Sequence, residues 1–538
     1  MLSSNTTDRN SRFVPPRKGA NVWRVSNYMK DRESMNAQSS MTHQARTMQT
    51  IPRLNWKNID WKQARIYVNR LQVRIVKAVQ KGKWRLVKRI QKLLTNSFYA
   101  KALAVKKVVS NKGKNTPGID GVLWKSDKDK TDAIYALNTK TYKAKPLRRT
   151  YIEKYGKKEK RPLGIPTMKD RAMQGLQLLA LEPVAETTAD RVSFGFRKYR
   201  CAQDAMEYIF KLLSRRVSPE WILEGDIKGC FENISHDWML NNIPADKKIM
   251  EQFLKCGYVD KHHLYPTDSG SPQGGLISPA YANQTLDGLE LILRNKYSTS
   301  ATGHFNPNYN KYKVHLCRYA DDFIVTANCE VVLYEVKQLI IEFLSDRGLR
   351  LSEEKTVITS IKDGFDFLGW NFRKFKGKLL IQPSAKSKKK ITRSLSNTVK
   401  EFRTAKQESL IVKLNQITKG WAEYHHCVCA KAAYALIDHR LWEMLWKWAK
   451  RRHPRKCKKW IKSRYWKNRA GRQWSFCTDK VVLYQMMDMP IVRIKSLNLS
   501  KNPFLDADYF VMRKEKHKCK RGQAFLNSAA ARNGVYVL

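Results

Sequence analysis

Acid is what this chain is short of. It carries 47 Asp plus Glu against 103 Lys plus Arg, a formal net charge of +56 over 538 residues. A fold so one-sided repels itself unless a polyanion neutralises it, and Lys and Arg displace the counterions condensed on nucleic-acid phosphates. No apolar run approaches the length of a spanning helix, and no signal-peptide core follows the start. A membrane surface is thereby set aside as the rival partner, and the expected location is cytoplasmic, with an organelle matrix as the alternative. The ten cysteines have no paired spacing, so neither a disulfide framework nor a zinc ribbon is expected, as suits a reducing compartment. The run His425-His426-Cys427-Val428-Cys429 lies in a helical pattern without a second ligand pair, and no zinc is expected there either. There is no internal repeat. Hydrophobic residues make up an ordinary 42%, which excludes wholesale disorder, and the length suggests three or four domains.

Residues 1–52 are polar and aperiodic, the composition of a mobile tail. From Trp61 apolar residues recur at helical spacing (Ala64, Val68, Leu71, Ile75, Val79), Gly82 interrupts, and a second helix is predicted from Trp84 through Ala104. These form an N-terminal helical extension over 53–110, whose basic faces either lie against RNA or simply face solvent. Residues 111–120 are a loop punctuated by glycine and proline. From about 148 to 380 short β-rich runs mix with helices, the pattern of an α+β domain. After Pro383 strands are predicted to disappear, and 386–450 reads as helices. The 26 positions 447–472 hold 13 Lys or Arg and no acid, with Trp448, Trp460, Tyr465 and Trp466 interleaved. Cations track phosphates while aromatic faces stack on bases, so Lys450, Arg451, Arg452, Lys458, Lys459, Arg464 and Trp466 are expected to contact nucleic acid.

The few acids that matter are placed pointedly. Asp226 ends the apolar run Trp221-Ile222-Leu223-Glu224-Gly225-Asp226-Ile227, and Asp321 and Asp322 sit at the tip of a predicted hairpin within Arg318-Tyr319-Ala320-Asp321-Asp322-Phe323-Ile324-Val325. An Asp-Asp turn is by itself an ordinary hairpin device. Carboxylates beside β-branched and aromatic residues are costly without a partner cation, however, and hard oxygen donors suit Mg²⁺. Two such ions would clamp the attacking and leaving oxygens of an in-line phosphoryl displacement, which is polymerase chemistry.

Further segments follow in order: Arg161-Pro162-Leu163-Gly164-Ile165-Pro166-Thr167, Ser193-Phe194-Gly195-Phe196-Arg197, Asp226-Ile227-Lys228-Gly229-Cys230-Phe231-Glu232-Asn233-Ile234, Ser271-Pro272-Gln273-Gly274-Gly275-Leu276-Ile277-Ser278-Pro279, the Tyr-Ala-Asp-Asp hairpin, and Phe367-Leu368-Gly369-Trp370. This ordered set, over roughly 56–510, resembles the reverse transcriptase–maturase proteins encoded within group II introns. The resemblance implies a right-hand polymerase fold. Fingers and palm with antiparallel sheet would occupy 111–382, a helical thumb or maturase domain 383–465, a DNA-binding region 466–515, and a basic tail 516–538. It implies an RNA-directed DNA polymerase that transfers a dNTP to a primer 3′ hydroxyl, binds its intron RNA to promote splicing, and supports mobility by target-primed reverse transcription. Its partners would be intron RNA, target DNA with a primer end, and dNTPs.

On that resemblance Asp226, Asp321 and Asp322 are catalytic and hold two Mg²⁺ ions, with Mn²⁺ as a possible substitute. The Ile227 carbonyl is a further ligand. Lys154 and Arg161 match the triphosphate contacts. Gln273 either hydrogen-bonds near the sugar or merely stabilises its turn, in which the glycines permit close backbone approach. Phe231 fits a steric gate against ribonucleotides, the alternative being a core phenylalanine; many relatives carry Phe at the preceding position, where this chain has Cys230. Gly369, between bulky apolar residues, is expected to mark close backbone approach or a bulge near the primer end. Gly420, Trp421 and Tyr424 match the thumb that grips intron RNA. Many relatives continue into a zinc-dependent HNH nuclease; the tail here offers only His517 and Cys519, so no endonuclease is expected. Two other functions compete: a noncatalytic RNA-binding maturase, and a stand-alone reverse transcriptase of a defence or diversity-generating system.

Overall fold

The helix Trp61–Gln80 starts where Asp60 accepts hydrogen bonds from the Lys62 and Gln63 N–H groups, and the predicted stripe Ala64, Val68, Leu71, Ile75 and Val79 is buried. These positions come from a computed structural model that describes residues 55–153, 160–300, 302–469, 472–517 and 522. The tail 1–52, nearly all of 516–538, and Lys154 lie outside the described residues. Gly82, at φ +65°, turns the chain into the next helix. The single helix predicted from Trp84 through Ala104 is two, Trp84–Asn96 and Phe98–Ser110. Ser97 breaks it: its backbone is extended (φ −71°, ψ 139°), and its hydroxyl accepts from the Ala100 N–H to cap the following helix. A serine competing for local backbone bonds interrupts a helix without disturbing apolar periodicity, which is why the spacing concealed the break. These helices pack on the long helix Met168–Thr188, where buried Gln72 donates to the Leu179 carbonyl at 2.8 Å.

Two four-stranded sheets carry the centre. In the first, Lys160–Ile165 pairs antiparallel with Leu147–Glu153, Tyr258–Asp260 runs parallel beside it, and His263–Tyr265 closes the edge. In the second the order is His315–Tyr319, Asp322–Ala327, Trp221–Asp226, Val357–Ser360, each neighbour antiparallel. Ile222, Leu223, Ile324 and Val325 are fully buried there, and the helices Ala202–Leu213 and Glu330–Ser345 pack against this sheet. A third sheet joins Phe365–Phe367, Trp370–Phe375 and Lys378–Pro383. Between its first two strands Leu368 and Gly369 both have positive φ, +50° and +82°, as a two-residue hairpin of the primed type demands. Gly369 therefore makes a turn and not a bulge, and its approach is not close: a Cβ there would meet nothing nearer than 3.9 Å.

The helices Ala385–Glu401, Gln407–His425, Lys431–Arg452 and Lys458–Tyr465 form the predicted helical region. Strands return after it, contrary to expectation: Trp466–Arg469 pairs antiparallel with Arg472–Phe476. Trp466 opposes Phe476, and both are buried among Trp448 and Tyr465. Aromatic cross-strand pairs stabilise a pleated, half-buried ribbon. Here they were masked by the surrounding charge.

Candidate active site

The register of the central sheet places Asp226 directly opposite Asp322. Tyr319 pairs with Asp322 to close the hairpin, leaving Ala320 and Asp321 as its turn. Ala320 takes a left-handed φ of +59°. Two things hold it there. A Cβ on Gly195 would lie 2.4 Å from the Ala320 nitrogen, so only glycine lets the 193–197 segment rest on the turn. From below, the fully buried Arg318 guanidinium donates to the Ala320 carbonyl at 3.4 Å, to Asn283 Oδ1 at 3.3 Å and to Asp287 Oδ1 at 2.5 Å. Asp287 is held up at about 7 by burial, with Asp190 adding to the rise and Arg318 opposing it.

The three aspartates repel one another. Asp321 is raised from the ordinary carboxyl value by burial and by Asp226, while Arg161 and Lys355 pull it back. Asp322 keeps an exposed edge, yet desolvation in the crowded cleft, with Asp321 and Asp226 beside it, pushes it up to about 7. Lys355 Nζ donates to Asp226 Oδ2 at 2.6 Å, and that bond raises the lysine's own value. Sequence reading missed this lysine, whose only signal is its place beside Glu353 and Glu354 in a short charged run. Ile227 sits in an isolated bridge whose bonds are made by its neighbours, Ser352 N–H to the Asp226 carbonyl and Lys228 N–H to the Arg350 carbonyl, so they do not consume its own carbonyl.

Among the described residues no three His, Cys, Asp or Glu side chains cluster closely enough to enclose an ion alone. Mg²⁺ does not require it, since it takes one or two carboxylates and completes its octahedron with water and substrate phosphates. The donor set fits: hard oxygens, crowded until one holds its proton to about 7, are the acceptors a divalent cation relieves.

Beside this corner lies a cleft lined by Arg149, Gly164, Phe231 and Gln273 among others. The Gln273 carbonyl accepts from the Gly164 N–H at 2.8 Å, and Gly274 (φ +115°) approaches so closely that a Cβ would meet the Gly164 oxygen at 2.7 Å. The Pro-Gln-Gly-Gly turn is thus docked on the strand that carries exposed Arg161. Among the described residues, Gln273 Nε2 donates to Glu232 Oε1 at 3.5 Å. Phe231 is half-buried in the cleft wall, whereas Cys230 is buried and pushed up to about 12, chiefly by that burial.

The residues expected to grip nucleic acid divide. Lys450, Arg451, Lys458, Lys459 and Arg464 are exposed. Arg452 is half-buried and donates to the Arg403 and Ala405 carbonyls at 3.2 and 2.8 Å. Trp466 is buried, a correction to its expected role in stacking on bases. Trp421 and Tyr424 face inward to the junction with the preceding sheet: the Trp421 indole donates to Ser387 at 3.1 Å, and Tyr424 stacks on Trp370 at 4.7 Å and donates to the Leu368 carbonyl at 2.8 Å. Burial pushes the adjacent His425 down to about 3, so this histidine is neutral.

An antiparallel sheet with an acidic hairpin, a second sheet and a helical region beyond define an α+β right-hand polymerase fold. Three family models match: N-terminal domain of reverse transcriptase at 56–137, reverse transcriptase (RNA-dependent DNA polymerase) at 152–372, and group II intron maturase-specific domain at 388–466. The group II intron-encoded protein LtrA of Lactococcus lactis subsp. cremoris is 32% identical over 334 residues, covering 50% of this chain and 54% of that protein. Protein YkfC of Escherichia coli (strain K12) is 30% identical, over 53% of this chain and 82% of that one, and maturase-like protein 1 of Euglena gracilis is 24% identical, over 69% and 77%. Against the Lactococcus relative the chain spans only about half the length. Among solved structures, an apo telomerase from Candida tropicalis truncated from the C-terminal domain aligns with a TM-score of 0.33 at 15% identity, over 44% of this chain and 54% of that one. The chain belongs to the reverse transcriptase–maturase family encoded by group II introns. Among the described residues no helix is long and apolar enough to cross a membrane.

Proposed function

We propose that this chain is an RNA-directed DNA polymerase that also serves as a maturase for a group II intron RNA, acting in the cytoplasm and priming from a target-DNA 3′ end. One observation carries it: Asp226 and Asp322 face each other in register, Asp321 stands in the hairpin turn just before Asp322 within electrostatic reach of Arg161, and Phe231 and Gln273 line a shared cleft. Asp226, Asp321, Asp322 and the Ile227 carbonyl would hold two Mg²⁺ ions, which when bound lower the cost of ionising the primer hydroxyl and neutralise the leaving pyrophosphate. Arg161, with Lys154, binds the triphosphate as fixed positive charge. Gln273 orients the sugar from a turn locked to Gly164, and Phe231 blocks a 2′ hydroxyl. Lys355 balances Asp226 whenever the nucleotide is away. Fingers and palm are assigned to 111–382, thumb to 383–465 and the DNA-binding region to 466–515, with the exposed cations of 450–464 tracking phosphates.

Primer extension on an RNA template with dNTPs and Mg²⁺ tests this. Asp321→Asn should lower the rate by more than about 100-fold, the scale on which lost electrostatic stabilisation is felt, while affinity for intron RNA is kept. Synthesis undiminished in that variant would refute the metal assignment. No synthesis by the unaltered chain, with splicing assistance intact, would favour a noncatalytic maturase.

A further inference from the structure

Phe196 is an anomaly. Its backbone is left-handed, φ +58°, and its ring is 59% exposed. A bulky side chain at positive φ is a true outlier, and such conformations persist where the surroundings force them and function uses them. The surroundings here do force it. Two residues earlier Phe194 is buried and its N–H donates to the Arg318 carbonyl at 2.8 Å. Gly195 lies against the catalytic turn at Ala320, and its carbonyl accepts from buried Asn283 at 2.8 Å. Arg197 is anchored on the far side, paired with Glu186 at 2.8 Å inside the protein and donating to the Asp190 carbonyl at 2.6 Å. The segment is clamped before and after Phe196, and the clamp thrusts this ring outward.

What the ring meets is Phe231, edge to face, with centroids 6.3 Å apart and planes at 80°. Phe231 belongs to the four-residue helix Cys230–Asn233, which follows Gly229 at φ +55°. A wall excludes a hydroxyl only if it cannot swing aside, and Phe231 is half-buried on a four-residue helix with one side toward the open cleft. An edge-to-face partner on a rigid segment removes that freedom.

We infer that Phe196 is a positioning residue for sugar selectivity: it braces Phe231 and so sets how strongly the site prefers deoxyribonucleotides to ribonucleotides. The inference rests on Phe231 being the gate. It also couples that gate to the turn bearing Asp321, since one clamped segment touches both.

Single-nucleotide incorporation by the full chain, with an RNA template, DNA primer and Mg²⁺, tests it through kcat/KM for a dNTP and its matching rNTP. Phe196→Gly suits a left-handed backbone and removes only the ring. The dNTP preference should fall roughly 2- to 12-fold, the range an edge-to-face pair is worth, through a lower KM for the rNTP. Phe231→Ala should lower it further, the double variant no further still, and Phe196→Tyr should restore it. Equal losses for both nucleotides with an unchanged ratio in Phe196→Gly, while Phe231→Ala relaxes the ratio, would overturn the brace alone. An unchanged ratio in Phe231→Ala would overturn the gate, and the brace with it.

Discussion

At the scale of single residues the site is an electrostatic conflict. Asp322 is held at about 7, well above the ordinary 3.8, by desolvation and then by Asp321 and Asp226. A carboxyl raised on folding favours the folded state below its ordinary value, and that contribution is lost as pH climbs through the raised one. The metal-free protein should therefore lose stability from this site between about pH 4 and 7, the window set by the two values. Divalent ions should raise the melting temperature more at pH 8 than at pH 6, and Asp322→Asn should flatten that difference. Thermal melts with and without Mn²⁺ measure both. Lys355 works in the opposite sense: it tempers the repulsion through Asp226, 129 residues away in sequence, and no local pattern could have announced the contact.

At the scale of elements, the hairpin that carries Asp321 and Asp322 stands on a buried ionic support. Arg318 is completely enclosed and bonded to Asp287, with Asp190 3.9 Å away. Breaking one side of a buried pair typically costs about 3–5 kcal/mol, whereas replacing both sides by apolar groups of similar volume is often neutral. Arg318→Met should thus destabilise strongly in urea unfolding, and Arg318→Met with Asp287→Leu should regain most of the loss. Polymerase activity should stay low in the double variant, because neither replacement can bond the Ala320 carbonyl. The basic stretch 447–472 shows the same division between support and surface. Trp466→Ala empties a core position and should cost about 3–5 kcal/mol.

At the scale of the whole molecule, the net charge of +56 acts through its exposed cations. Neutralising Lys458, Lys459 and Arg464 to Gln should leave stability within about 0.5 kcal/mol. It should reduce the slope of log affinity for RNA against log salt by about 2–3, close to one per lost phosphate contact. An unchanged slope would remove these three residues from the interface. Much of this scale was legible beforehand: the α+β class from mixed periodicity, and the order of motifs along the chain. The return of strands at 466–476 was not, because buried Trp466 stands in the same basic stretch as residues that do face solvent, and its partner Phe476 lies just beyond it.

By itself the sequence determined which side chains could do phosphoryl chemistry, because hard carboxylates, fixed cations and glycine-rich turns are chemical identities that need no coordinates. It also determined most element types, since burial of apolar stripes follows local period. Only the tertiary structure decided who meets whom. Asp226 opposite Asp322, Lys355 on Asp226, Gly195 against Ala320 and Phe196 against Phe231 are all long-range contacts. Their distances depend on sheet register and chain crossing, and those are set by the packing of the entire core, beyond the reach of any local window of residues.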